Sequence, residues 1–441
     1  MTESNEANGA APVAFSTLDL PNELNHALDD LGFENCTQIQ ALTLPRIIEG
    51  ADVAAQAQTG TGKTAAFLLG AFTKLLRNEP PVDETGNDRS TATPRLLVIA
   101  PTRELAIQIA KDAEALAKHT DLRICLVYGG VDYEKQAKTI AAGVDVLIGT
   151  PGRLIDYLKQ RIYSLGQLEI VVLDEADRMF DLGFIADIRY LFRRMPEPGN
   201  RTSLLFSATL SNRVMELAYE HMNSPDEVKT ESTTVTADGV QQTVFHPAQD
   251  EKIKLLVGLL YMLEPFRTIV FVNTKRAADR VEAYLNGNGI PSAALSGDVR
   301  QRQREKILAR FTAGELPVLI ATDVAARGLH IPDVSHVFNY DLPHQAEDYV
   351  HRIGRTARAG ATGEAISFAC EEYSFSLPEI QEYIGQEIDF APITSDLIQP
   401  LKSPRYRQRE SVDKSRRSGG RNSSRDRNSR GSNRARRRSS G

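Results

Sequence analysis

Along most of the chain, short runs of consecutive apolar residues alternate with segments that have the apolar spacing of a helix. Apolar runs without polar alternation are typical of parallel strands that are buried on both faces. The helical segments between them, such as 104–118 and 154–159, would cover both sides of such a sheet. The pattern therefore predicts an α/β domain in the first half of the chain. Its predicted strands are Leu96–Ala100, Ile124–Val127, Val146–Ile148, Ile170–Leu173 and Leu204–Phe206.

This alternation stops near residue 223, where a polar, turn-rich segment begins, and it resumes after residue 240. The second half again predicts α/β structure, with helices over 277–285 and 301–311. Its predicted strands are Thr268–Val272, Ser292–Leu295, Val318–Ala321, Val334–Phe338 and Ala365–Phe368. We therefore predict two tandem parallel-sheet domains. The predicted boundaries are an N-terminal tail at 1–14, domains at 15–222 and 241–400, a linker at 223–240 and a C-terminal tail at 401–441.

The segment AQTGTGKT, from Ala57 to Thr64, follows an apolar run and precedes a helical pattern. It matches the phosphate-binding loop G-x-x-x-x-G-K-[ST], with Ala57 in place of the first glycine. Gly60 and Gly62 would let backbone N–H groups point at an anion, and a helix N-terminus would add its dipole. We expect Lys63 to reach the β/γ-phosphates of ATP and Thr64 to bind Mg²⁺. The other loop residues expected to contact the nucleotide are Gln58, Thr59 and Thr61. The simpler alternative is a glycine-rich turn that opens an ordinary helix.

The acidic segment Asp174–Asp177 directly follows the apolar run 170–173. The carboxyl ends of parallel strands are where α/β sheets bind ligands, so these carboxylates should lie beside the phosphate loop. Asp174 is the candidate Mg²⁺ ligand. Glu175 is the candidate for orienting and polarising an attacking water. Taken alone, the segment could equally be an acidic cluster at a helix N-terminus.

Charge is distributed unevenly over the 441 residues. Residues 405–441 contain 14 Lys or Arg and 3 acidic residues, a net charge of +11, so the preceding residues carry −17 of the total of −6. A basic segment rich in Ser, Gly and Asn is expected to be disordered and to bind a polyanion. The widely separated Cys36, Cys125 and Cys370 suit a reducing cytoplasm, and no apolar run is long enough to cross a membrane. The acidic N-terminus is not expected to be a signal peptide.

Seven short motifs occur in a fixed order: AQTGTGKT, PTREL, TPGR, DEAD, SAT, TD-x-x-x-RG and HRIGRTAR. In this order they resemble the DEAD-box ATP-dependent RNA helicases, from Phe15 to about Phe368. The resemblance implies two RecA-like domains, and unwinding of short RNA duplexes without processivity. ARGLHIP, NYDLPH, ACEEY and the basic tail are most similar to one bacterial type within the family. That similarity implies a monomer that supports RNA degradation with a ribonuclease partner.

The resemblance also implies roles at the nucleotide. Gln40 matches the residue that reads adenine, and Phe15 matches the aromatic residue that stacks on it, although Phe15 in isolation would be a core residue. Arg355 and Arg358 match the arginine fingers, and they lie three residues apart. The family positions near the nucleotide in the second domain are Asp323 and Gly328, and the segment that couples ATP to unwinding is Ser207, Ala208 and Thr209. His330 stands where the family commonly has an aspartate that meets the ribose.

The resemblance further implies a set of RNA-binding residues whose small side chains, hydroxyls and guanidinium groups would contact phosphates without reading sequence. They are Pro101, Thr102, Arg103, Gly129, Gly130, Thr150, Pro151, Gly152, Arg153, Asn273, Thr274, Gly297, Gln301, Arg304 and Thr322. One by one, these segments are also typical of ordinary turns. Three other functions stay open: an RNA clamp or ribonucleoprotein remodeller with little strand separation, a DNA helicase, and a phosphate-loop kinase, which would not need the second domain.

Overall fold

The computed structural model describes residues 13–57, 60–79, 92–230, 239–264, 266–297, 299, 301–326, 334–357 and 362–406. The predicted residues that lie outside this description are Gln58, Thr59, Gly328, His330 and Arg358, together with residues 1–12 and 407–441 of the predicted tails.

The first half forms a seven-stranded parallel sheet in the order β3-β4-β2-β5-β6-β1-β7. Its strands are β1 (Val53–Gln56), β2 (Leu96–Ile99), β3 (Ile124–Val127), β4 (Val146–Gly149), β5 (Ile170–Asp174), β6 (Thr202–Ser207) and β7 (Asp226–Lys229). Its helices are α1 (Asn22–Leu31), α2 (Gln38–Glu49), α3 (Lys63–Arg77), α4 (Arg103–Leu116), α5 (Tyr133–Ala141), α6 (Pro151–Lys159), α7 (Ala176–Asp181), α8 (Ile185–Phe192) and α9 (Asn212–His221), with short 3₁₀ turns at Phe15–Thr17 and Pro198–Asn200.

The second half forms another seven-stranded parallel sheet, in the order β10-β11-β9-β12-β13-β8-β14. This order repeats that of the first sheet strand for strand. Its strands are β8 (Val240–Phe245), β9 (Thr268–Phe271), β10 (Ser292–Leu295), β11 (Val318–Ala321), β12 (His336–Asn339), β13 (Gly363–Phe368) and β14 (Asp389–Phe390). Its helices are α10 (Lys252–Leu263), α11 (Lys275–Gly287), α12 (Gln301–Thr312), α13 (Asp323–Ala326), α14 (Ala346–Ile353) and α15 (Ser376–Ile384).

Apolar cores pack on both faces of each sheet, which explains the unbroken apolar runs in the sequence. Successive residues of a strand point to opposite faces, so Leu96 and Val98 of β2 pack into one core while Leu97 and Ile99 pack into the other. The prediction of two tandem RecA-like α/β units is confirmed. None of the helices in the described ranges combines the length and apolar character that a membrane crossing requires.

Two segments depart from the predicted boundaries. Residues 226–229, predicted as linker, form β7, which pairs with β1 in the register Val53↔Asp226. Only Val228 of this edge strand is buried, so its sequence is polar and has no strand signal. Residues after 400 were predicted as tail, but the Lys402 N–H donates to Asn288 Oδ1 at 2.9 Å and the Arg405 N–H donates to the Ala283 carbonyl at 2.8 Å. These bonds hold the segment against α11.

Candidate active site

The phosphate loop connects β1 to α3 as predicted. Gly60 and Gly62 have φ values of +90° and +91°, which only glycine adopts without strain. Gly62 directly precedes Lys63, the first residue of α3, whose side chain is largely buried. The backbone N–H of Ala57 donates to the Ser207 carbonyl at 3.0 Å, which fixes the start of the loop to β6. The loop therefore has the backbone shape of an anion cradle at a helix N-terminus.

Gln40 is bonded to the phosphate loop and buried, with 4 % of its surface exposed. Its Oε1 accepts from the Thr37 N–H at 2.8 Å, which completes a capping box at the start of α2. Its Nε2 donates to the Gly62 carbonyl at 3.1 Å. A Cβ added to Gly62 would lie 2.5 Å from this Nε2. The predicted adenine-reading residue and the phosphate loop therefore form one hydrogen-bonded unit.

A cavity of about 450 Å³ opens beside this unit. It brings together residues from four of the seven motifs and from both domains. The predicted site residues in its wall are Phe15, Gln40, Gly60, Gly62, Lys63, Thr64, Asp174, Glu175 and Arg355. Phe15 lines the cavity and also packs into the core of the first sheet. A volume of this size is within the range of small-molecule pockets.

Asp174 is the last residue of β5 and has 2 % of its surface exposed. Burial raises the pKa of its carboxyl to about 6, while the Lys63 ammonium acts in the opposite direction. One of its oxygens accepts from the Glu175 N–H at 2.9 Å. The Asp177 N–H donates to Ser207 Oγ at 3.1 Å, which joins the DEAD segment to the segment of Ser207, Ala208 and Thr209.

Glu175 has an unusual backbone for a residue with a side chain, with φ of 51° and ψ of 55°. This left-handed conformation turns the chain sharply between β5 and α7. Within the described part of the chain, Glu175 Oε2 is buried and accepts no hydrogen bond. A buried carboxylate oxygen without a donor is costly unless a ligand or water supplies one, so this atom is suited to accept from a water in the cavity.

The residues present fit a magnesium ion bound together with phosphate. The described ranges hold no group of three or more His, Cys, Asp or Glu side chains arranged as a self-contained metal site. Mg²⁺ commonly takes one or two protein oxygens and completes its shell with phosphates and water. The Asp174 carboxylate and the Thr64 hydroxyl both line the cavity and are hard oxygen donors of this kind.

In the second domain, Arg352 lies on α14 and Arg355 lies two residues after the end of that helix. Arg352 is 1 % exposed and donates to both carboxylate oxygens of Asp323, each at 2.7 Å. It also donates to Asn273 Oδ1 at 2.8 Å. Asp323, expected near the nucleotide, is thus held by an arginine of its own domain, whereas Arg355 lines the cavity itself.

The predicted RNA-binding residues all follow the carboxyl ends of strands, on the same side of each sheet. Thr102, Thr150 and Thr274 occupy the N-cap positions of α4, α6 and α11, and the hydroxyls of Thr102 and Thr274 accept from backbone N–H groups of their helices. The Arg103 guanidinium packs over Gly129 and Gly130, where a Cβ on Gly130 would lie 2.7 Å from Nη1. The remaining members lie in the connecting turns or first turns of the following helices: Pro101, Pro151, Gly152, Arg153, Asn273, Gly297, Gln301, Arg304 and Thr322.

Contacts of Gln301 and Arg304 with α4 join the two domains, and one of them is the bond from Gln301 Nε2 to Glu104 Oε1 at 3.4 Å. Arg103 Nη1 donates to Gln301 Oε1 at 3.4 Å, and Arg304 Nε lies 2.6 Å from Glu104 Oε1. Arg153 lies in a different cluster, stacked on Tyr133 with 4.9 Å between its guanidinium carbon and the ring centre. It also donates to the Tyr157 hydroxyl at 3.0 Å. The structure thus brings Arg103, Gln301 and Arg304 together and gives Arg153 an aromatic support of its own.

Two family models match the chain: a DEAD/DEAH box helicase model over residues 37–217 and a helicase conserved C-terminal domain model over residues 251–360. The chain is 58% identical over 390 residues to the ATP-dependent RNA helicase RhlB of Xanthomonas oryzae, covering 88% of this chain and 67% of that protein. The chain belongs to the DEAD-box family of ATP-dependent RNA helicases. It is therefore an enzyme that hydrolyses ATP.

Within the DEAD-box family, the similarity to the RhlB type extends to other bacteria. RhlB of Shewanella halifaxensis is 53% identical over 384 residues, covering 87% of each protein. RhlB is the bacterial type to which the sequence motifs point, so that prediction is confirmed. The fold also matches Saccharomyces cerevisiae Dbp5 bound to RNA and ADP BeF3, with a TM-score of 0.75, 32% identity, and coverage of 86% of this chain and 95% of that one. Mss116p bound to ssRNA and AMP-PNP matches with a TM-score of 0.75 at 26% identity, covering 89% and 82%.

Lys252 and Asp341 form a buried ion pair that none of the sequence motifs predicts. Lys252 is fully buried at the start of α10, and its Nζ donates to Asp341 Oδ1 at 2.6 Å. Asp341 Oδ2 in turn accepts from the Asn273 N–H at 3.0 Å. Asp341 lies two residues after β12 and Asp174 is the last residue of β5, so a search for carboxylates at the carboxyl ends of strands could have found both. Lys252 is the first residue of the largely apolar helix α10. Nothing in the sequence indicates that this lysine is buried.

Proposed function

We propose that this helicase hydrolyses ATP in the cavity between its sheets and couples hydrolysis to non-processive unwinding of short RNA duplexes. The observation that carries the proposal is the cavity wall, which combines Lys63 and Glu175 of the first domain with Arg355 of the second. A site built from two domains is complete only when both are in place. ATP binding and RNA binding, which both favour the joined arrangement, would then strengthen each other.

We infer the following roles for the residues of the cavity. Gln40 and Phe15 hold the adenine, and the backbone around Gly60 and Gly62, with Lys63, holds the phosphates. Glu175 accepts a hydrogen bond from the attacking water and orients it. Arg355, with Arg358, neutralises charge on the transferring phosphoryl group. Mg²⁺, held by Asp174 and Thr64, would add positive charge at the phosphates.

RNA binding is supported by the row of strand ends in both domains. Arg103, Gln301 and Arg304 already lie within one contact network there. Helix N-termini and guanidinium groups bind phosphates without reading sequence. A strand gripped by both domains would be bent and would lose its partner locally. The +11 charge after residue 404 should add RNA affinity that falls as salt rises.

We further propose that the protein works as a monomer in the cytoplasm and supports RNA degradation together with a ribonuclease. The three cysteines lie in the described ranges and form no disulfide, which suits a reducing compartment. The proposed domains, 15–222 and 241–400, each contain most of one parallel sheet, and the edge strand β7 and the first residue of β8 fall in the proposed linker. Light scattering of the purified protein tests the monomer, and co-purification of a ribonuclease from cells that express a tagged chain tests the partner.

The deciding experiment is steady-state ATP hydrolysis with and without single-stranded RNA, for the wild type and Glu175→Gln. We expect RNA to stimulate the wild type strongly and the variant to stay at background. Stimulation by single-stranded DNA instead would favour a DNA helicase. Hydrolysis that ignores RNA would contradict the proposal unless a ribonuclease partner restores the stimulation. Stimulated hydrolysis without release of a duplex strand would favour the RNA clamp.

A further inference from the structure

Arg178 lies three residues after Glu175 on α7 and is almost fully buried, with 3 % of its surface exposed. Its Nε is 3.6 Å from Glu175 Oε2, and both side chains are shielded from solvent. This separation is too long for a hydrogen bond but close enough for a strong charge interaction. The guanidinium therefore attracts the carboxylate while leaving the Oε2 lone pairs available.

The surroundings of Arg178 belong to the second domain. A small cavity beside it is lined by Asp323, Asp348, His351, Arg352 and Arg355. Of these, Asp348, His351 and Arg352 lie on α14, and Arg355, which also lines the larger cavity, follows shortly after that helix. Arg178 therefore lies close to Glu175 of the first domain and to Arg352 and Arg355 of the second.

We propose that Arg178 is a positioning residue for ATP hydrolysis, which holds the Glu175 carboxylate aimed at the attacking water. The proposal rests on the proposed role of Glu175. Burying a guanidinium costs free energy unless carboxylates compensate its charge. Glu175, at 3.6 Å, is a carboxylate that compensates the charge of Arg178. Glu175 has a left-handed backbone, and within the described part of the chain no hydrogen bond fixes its buried Oε2, so the charge of Arg178 at 3.6 Å supplies that constraint.

The test compares Arg178→Met, Arg178→Lys and a matched control, Arg95→Met. Arg95 is equally buried in the first domain and forms an ion pair with Glu169 away from the cavity. Each variant is assayed for kcat and for KM of ATP at saturating RNA, and for thermal unfolding. We expect Arg178→Met to lower kcat about 10- to 100-fold with little change in KM, because orientation of the water and not ATP binding is lost.

The rescue and control variants separate positioning from stability. Arg178→Lys should recover a large part of kcat, because it restores the positive charge. Arg95→Met should lower the unfolding temperature without a comparable loss of kcat. A kcat for Arg178→Met within about twofold of wild type overturns the proposal. So does an equal kcat loss in Arg95→Met, or no recovery in Arg178→Lys.

A double variant distinguishes this inference from the proposed function. If Arg178 acts through Glu175, adding Arg178→Met to Glu175→Gln should change the residual single-turnover rate by less than about twofold. A full additional loss would overturn the inference. If Glu175→Gln alone stays active, the role of Glu175 itself is refuted. If Glu175→Gln is inactive while Arg178→Met is fully active, only the role of Arg178 is refuted.

Discussion

Arg352 donates two hydrogen bonds of 2.7 Å to the two carboxylate oxygens of Asp323. Bidentate pairs of this kind are short, strong and directional. The same guanidinium donates to Asn273, a predicted RNA-binding residue, at 2.8 Å. The pair thus ties α13 and α14 to the strand end that carries Asn273, so these three parts of the second domain share one buried network.

Breaking this pair should destabilise the second domain. Asp323→Ala leaves the buried Arg352 cation without its main partner, and we expect a loss of about 3 kcal/mol in the free energy of unfolding. Urea unfolding of the purified protein measures it. The control is Glu220→Ala, which breaks an ion pair of 2.7 Å with Arg189 on the surface. Its loss should cost under about 1 kcal/mol. Equal losses in the two variants would contradict a structural role for the pair.

Gly62→Ala should weaken ATP binding. The residue has φ of +91°, and the new Cβ would lie 2.5 Å from Gln40 Nε2. The loop would relax away from its cradle shape, and restoring that shape costs roughly 1–2 kcal/mol, so the Kd for ATP should rise about tenfold or more. A fluorescent nucleotide titration measures this Kd.

The matched control for Gly62 is Gly385→Ala at the end of α15. It has φ of +70° but open space around the added Cβ. We expect a stability loss of about 1 kcal/mol from the same backbone strain and an unchanged Kd. An unchanged Kd in Gly62→Ala would show that the loop shape does not control nucleotide binding.

Asp174→Asn should stabilise the nucleotide-free, metal-free protein at high pH while abolishing hydrolysis. Burial raises the pKa of Asp174 from 3.8 to about 6. Above pH 6 the folded protein must hold a buried charge that the unfolded chain solvates, so the ionised carboxylate opposes folding. Below pH 4 both states are protonated and the effect disappears. The gain at pH 8 should be about 3 kcal/mol.

Thermal unfolding with EDTA at pH 8 and pH 4 measures this gain. Asp30→Asn is the control of opposite sign, because hydrogen bonds from Lys118 and His119 lower the pKa of Asp30. Its removal should not raise stability at pH 8. An Asp174→Asn protein that is no more stable than wild type at pH 8 would contradict the burial argument.

The sequence predicted the features that depend on local pattern. Apolar runs such as Ile170–Leu173 identify strands because both faces of each sheet are buried. Strand β7 was missed because an edge strand with one buried residue, Val228, has a polar sequence. The phosphate loop could be predicted in shape because its glycines and lysine act through backbone geometry within eight residues.

Contacts between distant segments could not be predicted in the same way. The bond from Gln40 to Gly62 spans 22 residues, and the pair of Lys252 with Asp341 spans 89. Neither has a periodic signal, since each depends on how the chain brings two elements together. Arg178 follows the most recognisable motif of the chain, yet its proximity to Glu175 is visible only in three dimensions.

ATP-driven release of a short strand from an RNA duplex, compared between the wild type and Arg355→Ala, tests whether the two domains build one active site. A site completed by the second domain predicts that the wild type releases the strand only with ATP. Arg355→Ala should keep its affinity for ATP but lose hydrolysis and release by about 10³-fold or more. Wild-type release by Arg355→Ala would contradict the claim that the two domains build one active site.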